Sequence, residues 1–163
     1  MILSFNVQTA ERTIDRMALS VVVKDHWDAY TNSCYGRVCH YIRDLESWQP
    51  EDKIVLLGLK QGKGVIHGTL MRGDKFLVDS CSDRAILSGD EYTAPSTTGA
   101  QPTRLYVKGE ISLDDFHVKC LRLQAEVMKA KEAGEDFKSM TYSLEKKVAN
   151  QNCAPTIPKP QLP

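Results

Sequence analysis

Residues 53–79 have the sequence KIVLLGLKQGKGVIHGTLMRGDKFLVD. Short apolar runs rich in branched side chains alternate here with two glycine-containing turns, a pattern typical of strands joined by hairpins. The runs cover residues 53–59, 65–72 and 76–79, and the turns cover residues 61–64 and 72–75. The stretch therefore predicts two successive hairpins, which form an antiparallel meander.

Helical patterns flank this region on both sides. Apolar residues recur at helical spacing over residues 9–24 and 34–46, upstream of the meander. Downstream, Ser112 is followed three residues later by an acidic side chain, as in a capping box, and opens a long helix. A further helical stretch is expected over residues 137–149. Between the meander and these helices, we expect strands at residues 84–87 and 104–108, separated by a mobile loop at residues 93–102.

This order of elements predicts an α+β fold. N-terminal helices, one of them carrying Cys34, pack on a small antiparallel sheet, and C-terminal helices follow. We expect a single domain over residues 1–152. Residues 153–163 contain four of the seven prolines, so this segment is expected to be a disordered tail.

Composition excludes several classes of partner. Lys and Arg together number 21, as do Asp and Glu, so no basic field favours nucleic acid. No apolar stretch approaches the ~20 residues that span a bilayer, and residues 1–6 lack the features of a secretory signal. We therefore expect a cytoplasmic protein with no membrane contact. Its five cysteines are then expected to be reduced thiols.

Three side chains occur in the order of a thiol-nucleophile site. Cys34 stands at the expected start of a helix, which Asn32 or Ser33 caps, and a helix N-terminus favours the thiolate form of a cysteine. His67 lies in the second predicted strand, and Asp79 closes the third. Because side chains on neighbouring strands can pair, we expect the carboxylate to orient the imidazole.

These positions assign one role to each residue. Cys34 is the candidate nucleophile, His67 the general base and acid, and Asp79 the residue that orients the imidazole. Asn32 is a candidate donor to the oxyanion, together with the backbone N–H groups at the helix start. The expected substrate is an amide in a protein or peptide, and no metal or organic cofactor is implied.

Four short motifs resemble the papain-like superfamily of cysteine hydrolases, in its compact bacterial and phage forms such as NlpC-type and transglutaminase-like domains. The motifs are Asn32-Ser33-Cys34, Val55-Leu56-Leu57-Gly58, His67-Gly68-Thr69-Leu70 and Phe76-Leu77-Val78-Asp79-Ser80. The resemblance covers about residues 30–80. It implies a papain-like fold, a Cys-His-Asp triad, a thioester intermediate and a bacterial or phage origin. The chain departs from the family at Gly68-Thr69, where an aromatic residue often follows the histidine.

Other interpretations of the same residues stay open. A cysteine at a helix start is often a small buried residue, and a lone histidine in a strand is often structural. Cys81 is a candidate second thiol, whereas Cys39 is expected to pack in the core. The alternative function is a non-catalytic interaction protein on the same scaffold, which binds a phage or host factor. The oligomeric state is not specified by these patterns.

Overall fold

The computed structural model describes residues 8–23, 33–79, 84–95 and 101–134. They form three helices and a curled, six-stranded antiparallel sheet, so the predicted α+β class is confirmed. The helices are α1 (Ala10–Val22), α2 (Cys34–Asp44) and α3 (Leu113–Glu132). The strands are β1 (Gln8–Thr9), β2 (Asp52–Gly58), β3 (Gly64–Val65), β4 (His67–Arg72), β5 (Lys75–Val78), β6 (Ile86–Ser88), β7 (Glu91–Ala94) and β8 (Thr103–Ser112).

The predicted meander forms one half of the main sheet. The strand order is β5-β4-β2-β8-β7-β6, and β2 pairs antiparallel with both β4 and β8. The predicted strand at residues 65–72 is divided, however. Ile66 separates β3 from β4, because Gly64 and Val65 pair with β1 instead of continuing the main sheet.

Alternation along the central strands sends side chains into two separate cores. Ile54 and Leu56 of β2 point toward the helices and join a cluster with residues of α1, α2 and α3. Val55 and Leu57 point to the opposite, curled face, where they pack with Tyr92 of β7. The central strands β2 and β4 are therefore buried on both faces, with the helices on one face and residues of the curled sheet on the other.

The region between the meander and α3 differs from the sequence prediction. Thr93 and Ala94, expected in a mobile loop, belong to β7, because Tyr92 and Ala94 alternate into the second core. The strand β8 is also longer than the predicted residues 104–108. The predicted helix over residues 137–149 and the tail over residues 153–163 lie outside the described residues.

The predicted capping residue of α3 is in place: the Ser112 side chain accepts a hydrogen bond from the Asp115 N–H over 3.2 Å. Thr9 is the N-cap residue of α1, but its side chain makes no capping hydrogen bond. Lys119 of α3 pairs with the buried Asp15 of α1, which joins the two helices. Among the described helices, none has both the length and the hydropathy that a membrane crossing requires.

Candidate active site

Cys34 is the first residue of α2, as the sequence predicted. Ser33 is the N-cap, and its hydroxyl oxygen accepts a hydrogen bond from the Gly36 N–H over 3.0 Å. The thiol is half-buried. The first N–H groups of a helix have no acceptor within the helix and carry partial positive charge, so this position favours a negatively charged sulfur.

The backbone of β4 approaches the same sulfur. The Gly68 N–H donates a hydrogen bond to the Cys34 Sγ over 3.4 Å. The described pairing of β4 with β5 ends at Leu70 and Val78, so Gly68 lies beyond it. The Cys34 thiol therefore lies beside a part of β4 that does not pair with β5 in the described residues.

Gly68 also allows α2 to lie close against the sheet. A Cβ atom at this position would lie 2.9 Å from the Tyr35 Cδ1, a distance that real side chains do not adopt. The Tyr35 ring thus packs directly on the backbone of β4. This contact gives a physical reason for glycine after His67, where the family resemblance leads one to expect an aromatic residue.

His67 and Asp79 are in direct contact. The His67 Nε2 lies 2.6 Å from the Asp79 Oδ1, although twelve residues separate them in the chain. Only 5% of the His67 side chain and 3% of the Asp79 side chain are exposed. The Nε2 atom faces the carboxylate, and the His67 side chain also forms a hydrogen bond with Cys34.

The Asp79 carboxylate has a second partner that the sequence analysis missed. The Tyr92 hydroxyl donates a hydrogen bond to the Asp79 Oδ2 over 2.8 Å, and the Tyr92 and His67 rings lie 5.4 Å apart. No local motif marks Tyr92. Its contact with Asp79 depends on the curl of the sheet, which residue spacing within one strand does not encode.

The electrostatic environment favours a charged imidazole. Burial opposes the positive charge on His67, but hydrogen bonds with Asp79 and Cys34, and the negative charges of both groups, outweigh it. Together these effects raise the pKa of His67 to about 9. The imidazole is therefore protonated at neutral pH, and a neighbouring imidazolium is the partner that a thiol nucleophile needs.

Of the other candidate residues, Cys39 is buried, and the rest lie outside the described residues. Cys39 is fully buried, and its thiol donates to the Met17 carbonyl oxygen over 3.6 Å, so its predicted core role is confirmed. Asn32 and Cys81 lie outside the described residues. Within the part of the chain that the structure describes, no group of three His, Cys, Asp or Glu side chains is arranged to hold a metal ion.

Comparisons of the chain with protein-family models, curated proteins and solved structures gave no match.

Proposed function

We propose that this protein is a cysteine-nucleophile hydrolase or acyltransferase that acts on an amide bond. One observation carries the proposal: the buried His67 contacts Asp79 on one side and interacts with Cys34 on the other. A histidine between a thiol and a carboxylate is an arrangement that activates the thiol for nucleophilic catalysis. Peptidases, amidases, deamidases and transglutaminase-like enzymes all use it.

The first half of the reaction acylates the enzyme. The Cys34 thiolate attacks the amide carbonyl carbon, a bond forms between sulfur and carbon, and the carbonyl electron pair moves to oxygen. The backbone N–H groups at the start of α2 are the candidate donors to that oxyanion. The imidazolium of His67 then gives its proton to the amide nitrogen, the carbon–nitrogen bond breaks, and the amine leaves a thioester on Cys34.

The second half regenerates the thiolate. Water, or an amine in the transfer reaction, gives a proton to the neutral His67 and attacks the thioester carbonyl carbon. The carbon–sulfur bond breaks, and its electron pair returns to Cys34 as thiolate. Asp79 accepts a hydrogen bond from the other ring nitrogen throughout, which keeps the imidazole in the tautomer and orientation that both halves need.

A papain-like scaffold is the finer fold assignment within this proposal. Its support is the order of elements, with a cysteine at a helix N-terminus, a histidine in a strand of the antiparallel sheet and an aspartate directly after the next strand. Three of the four motifs that carry the sequence resemblance contribute a residue to the candidate site, namely Cys34, His67 and Asp79. On this assignment, Asn32 remains a predicted donor to the oxyanion.

Activity on a library of short peptide amides tests the proposed reaction. We expect the wild-type chain to cleave these amides or to exchange their amine, which mass spectrometry detects. Cys34→Ala and His67→Ala should lose this activity. His40→Ala is the matched control, because His40 is exposed on the same helix. Full activity in Cys34→Ala would contradict the assignment of the nucleophile.

Thiol labelling tests the site without a known substrate. We expect iodoacetamide to alkylate Cys34 rapidly at mildly acidic pH and slowly in His67→Ala, in which the thiol loses its imidazolium partner. The labelling rate of Cys34 in His67→Ala is the proper reference for its rate in the wild type. Cys39 and Cys120 are poor references, because burial alone protects their thiols from the reagent. Equal rates with and without the imidazole would favour the non-catalytic interaction protein.

A further inference from the structure

Tyr92 reaches the candidate site from a distant part of the sheet. It lies on β7, and two strands, β2 and β8, stand between β7 and the β4 strand that carries His67. Asp79 is farther still in strand order, because it follows β5 at the opposite edge. Pairing registers shift between Leu56 and Leu57 and between Leu70 and Met71, and such shifts increase local twist. The resulting curl brings the Tyr92 hydroxyl to the Asp79 carboxylate.

The Tyr92 ring is held firmly where it lies. Its exposed fraction is 0%, and Phe76 contacts it edge-on with ring centroids 5.9 Å apart. The His67 ring packs against it at 54°. A fixed ring defines the direction of its hydroxyl group, so the acceptor, Asp79, is held in one orientation with Oδ1 toward His67 and Oδ2 toward Tyr92.

We propose that Tyr92 is a positioning residue of the candidate active site, which keeps the buried Asp79 carboxylate ionised and aimed at His67. This inference rests on the proposed cysteine-nucleophile function and adds a fourth member to its Cys34–His67–Asp79 chain. A carboxylate with 3% side-chain exposure has little water to solvate it, so each oxygen needs a protein donor. His67 supplies a donor to Oδ1, and Tyr92 supplies a donor to Oδ2.

Loss of the hydroxyl has a consequence for the thiol. Without the Tyr92 hydroxyl, Oδ2 loses a donor, and in a buried site this shifts the balance from the carboxylate of Asp79 toward its neutral acid. A proton that moves from His67 to Asp79 leaves a neutral imidazole, which no longer stabilises the Cys34 thiolate. Tyr92 therefore acts on the nucleophile through two intermediate groups, without touching the reacting atoms.

Tyr92→Phe tests this inference, because it keeps the ring and removes the hydroxyl. We expect alkylation of Cys34 by iodoacetamide at mildly acidic pH to slow by about tenfold, the effect of losing one hydrogen bond to a buried charge. The rate should recover as the pH is raised and the free thiol ionises by itself. Tyr106→Phe is the matched control and should alkylate as the wild type does, whereas Asp79→Asn should slow alkylation at least as much as Tyr92→Phe.

The outcomes separate the two proposals. Slow labelling of Cys34 in the wild type would refute the proposed function and this inference together. Rapid labelling in both the wild type and Tyr92→Phe would overturn the inference alone and leave the proposed function standing. A lower melting temperature with an unchanged alkylation profile would also overturn it, since it would show a role in packing only.

A measurement on the wild-type chain decides the matter if Tyr92→Phe fails to fold. We expect proton NMR to show a slowly exchanging Tyr92 hydroxyl resonance whose shift follows the titration of His67. A Tyr92 hydroxyl resonance that is indifferent to this titration would overturn the inference.

Discussion

The Gly68 N–H donates a hydrogen bond to the Cys34 Sγ over 3.4 Å, and this contact joins the start of α2 to β4 one residue from His67. Two neighbouring residues of β4 thus both act on the thiol, Gly68 through its backbone N–H and His67 through its ring. The His67 ring also packs against Tyr92, which belongs to the second core. The position of the thiol is set by the strand as much as by its own helix.

Gly68→Ala should disable the site while the sheet persists. The new methyl group would collide with the Tyr35 ring and push the start of α2 away from β4. We expect a loss of stability of about 1–3 kcal/mol, as for other overpacked positions, measured by urea unfolding. Alkylation of Cys34 at mildly acidic pH should fall with it, because the thiol moves away from both the Gly68 N–H and the imidazole.

A double variant that combines Tyr35→Ala with Gly68→Ala checks this mechanism. Removal of the ring relieves the collision, so the double variant should regain part of the Cys34 reactivity that Gly68→Ala loses. Unchanged reactivity in the single variant would show that α2 tolerates the methyl group without moving.

Asp79→Asn should impair chemistry more than folding. An amide keeps the shape of the carboxylate but removes its charge and can present a donor to the imidazole, which favours the wrong tautomer of His67. We expect turnover of a peptide amide to fall by about 10²–10⁴-fold. Asp79→Glu restores the charge on a longer side chain. Its turnover rate should lie below that of the wild type and above that of Asp79→Asn.

The sequence predicts those parts of the fold and site that depend on local patterns. Periodicity and capping signals locate α1, α2, α3 and the meander, because each follows from residues close together in the chain. The contact between His67 and Asp79 was also expected, since both lie on neighbouring elements of that meander.

What the sequence does not predict depends on contacts between distant strands. Tyr92 lies outside every predicted strand and directly before the loop predicted at residues 93–102, because the alternation of β7 spans only four residues. Its partner Asp79 is brought near only by the curl of the whole sheet. The division at Ile66 is likewise non-local, because β1 pairs with β3 from the far end of the described chain.

Thr69→Val should stabilise the protein without affecting the thiol. Thr69 is fully buried on β4, and within the described part of the chain its hydroxyl has no hydrogen-bond partner. A methyl group of the same shape removes the cost of burying that hydroxyl, so we expect a gain of about 1 kcal/mol in the free energy of unfolding. Cys34 alkylation should match the wild type, which makes this variant a control beside the site. A loss of stability would indicate that a bound water or a residue outside the described ranges satisfies the hydroxyl.

The raised pKa of His67 predicts how the reaction depends on pH. Acylation needs the imidazolium to protonate the leaving amine, and that form persists until the pH approaches about 9, well above the ordinary value of 6.5 for histidine. We therefore expect kcat/KM for a peptide amide to hold through neutral pH and to fall as the pH rises through about 9. In Asp79→Asn the imidazolium loses a hydrogen bond and a negative charge that stabilise it, so the alkaline limb should move to lower pH. NMR titration of the His67 ring in both chains measures the same shift directly, and an ordinary histidine pKa in the wild type would show that neither Asp79 nor Cys34 stabilises the charge.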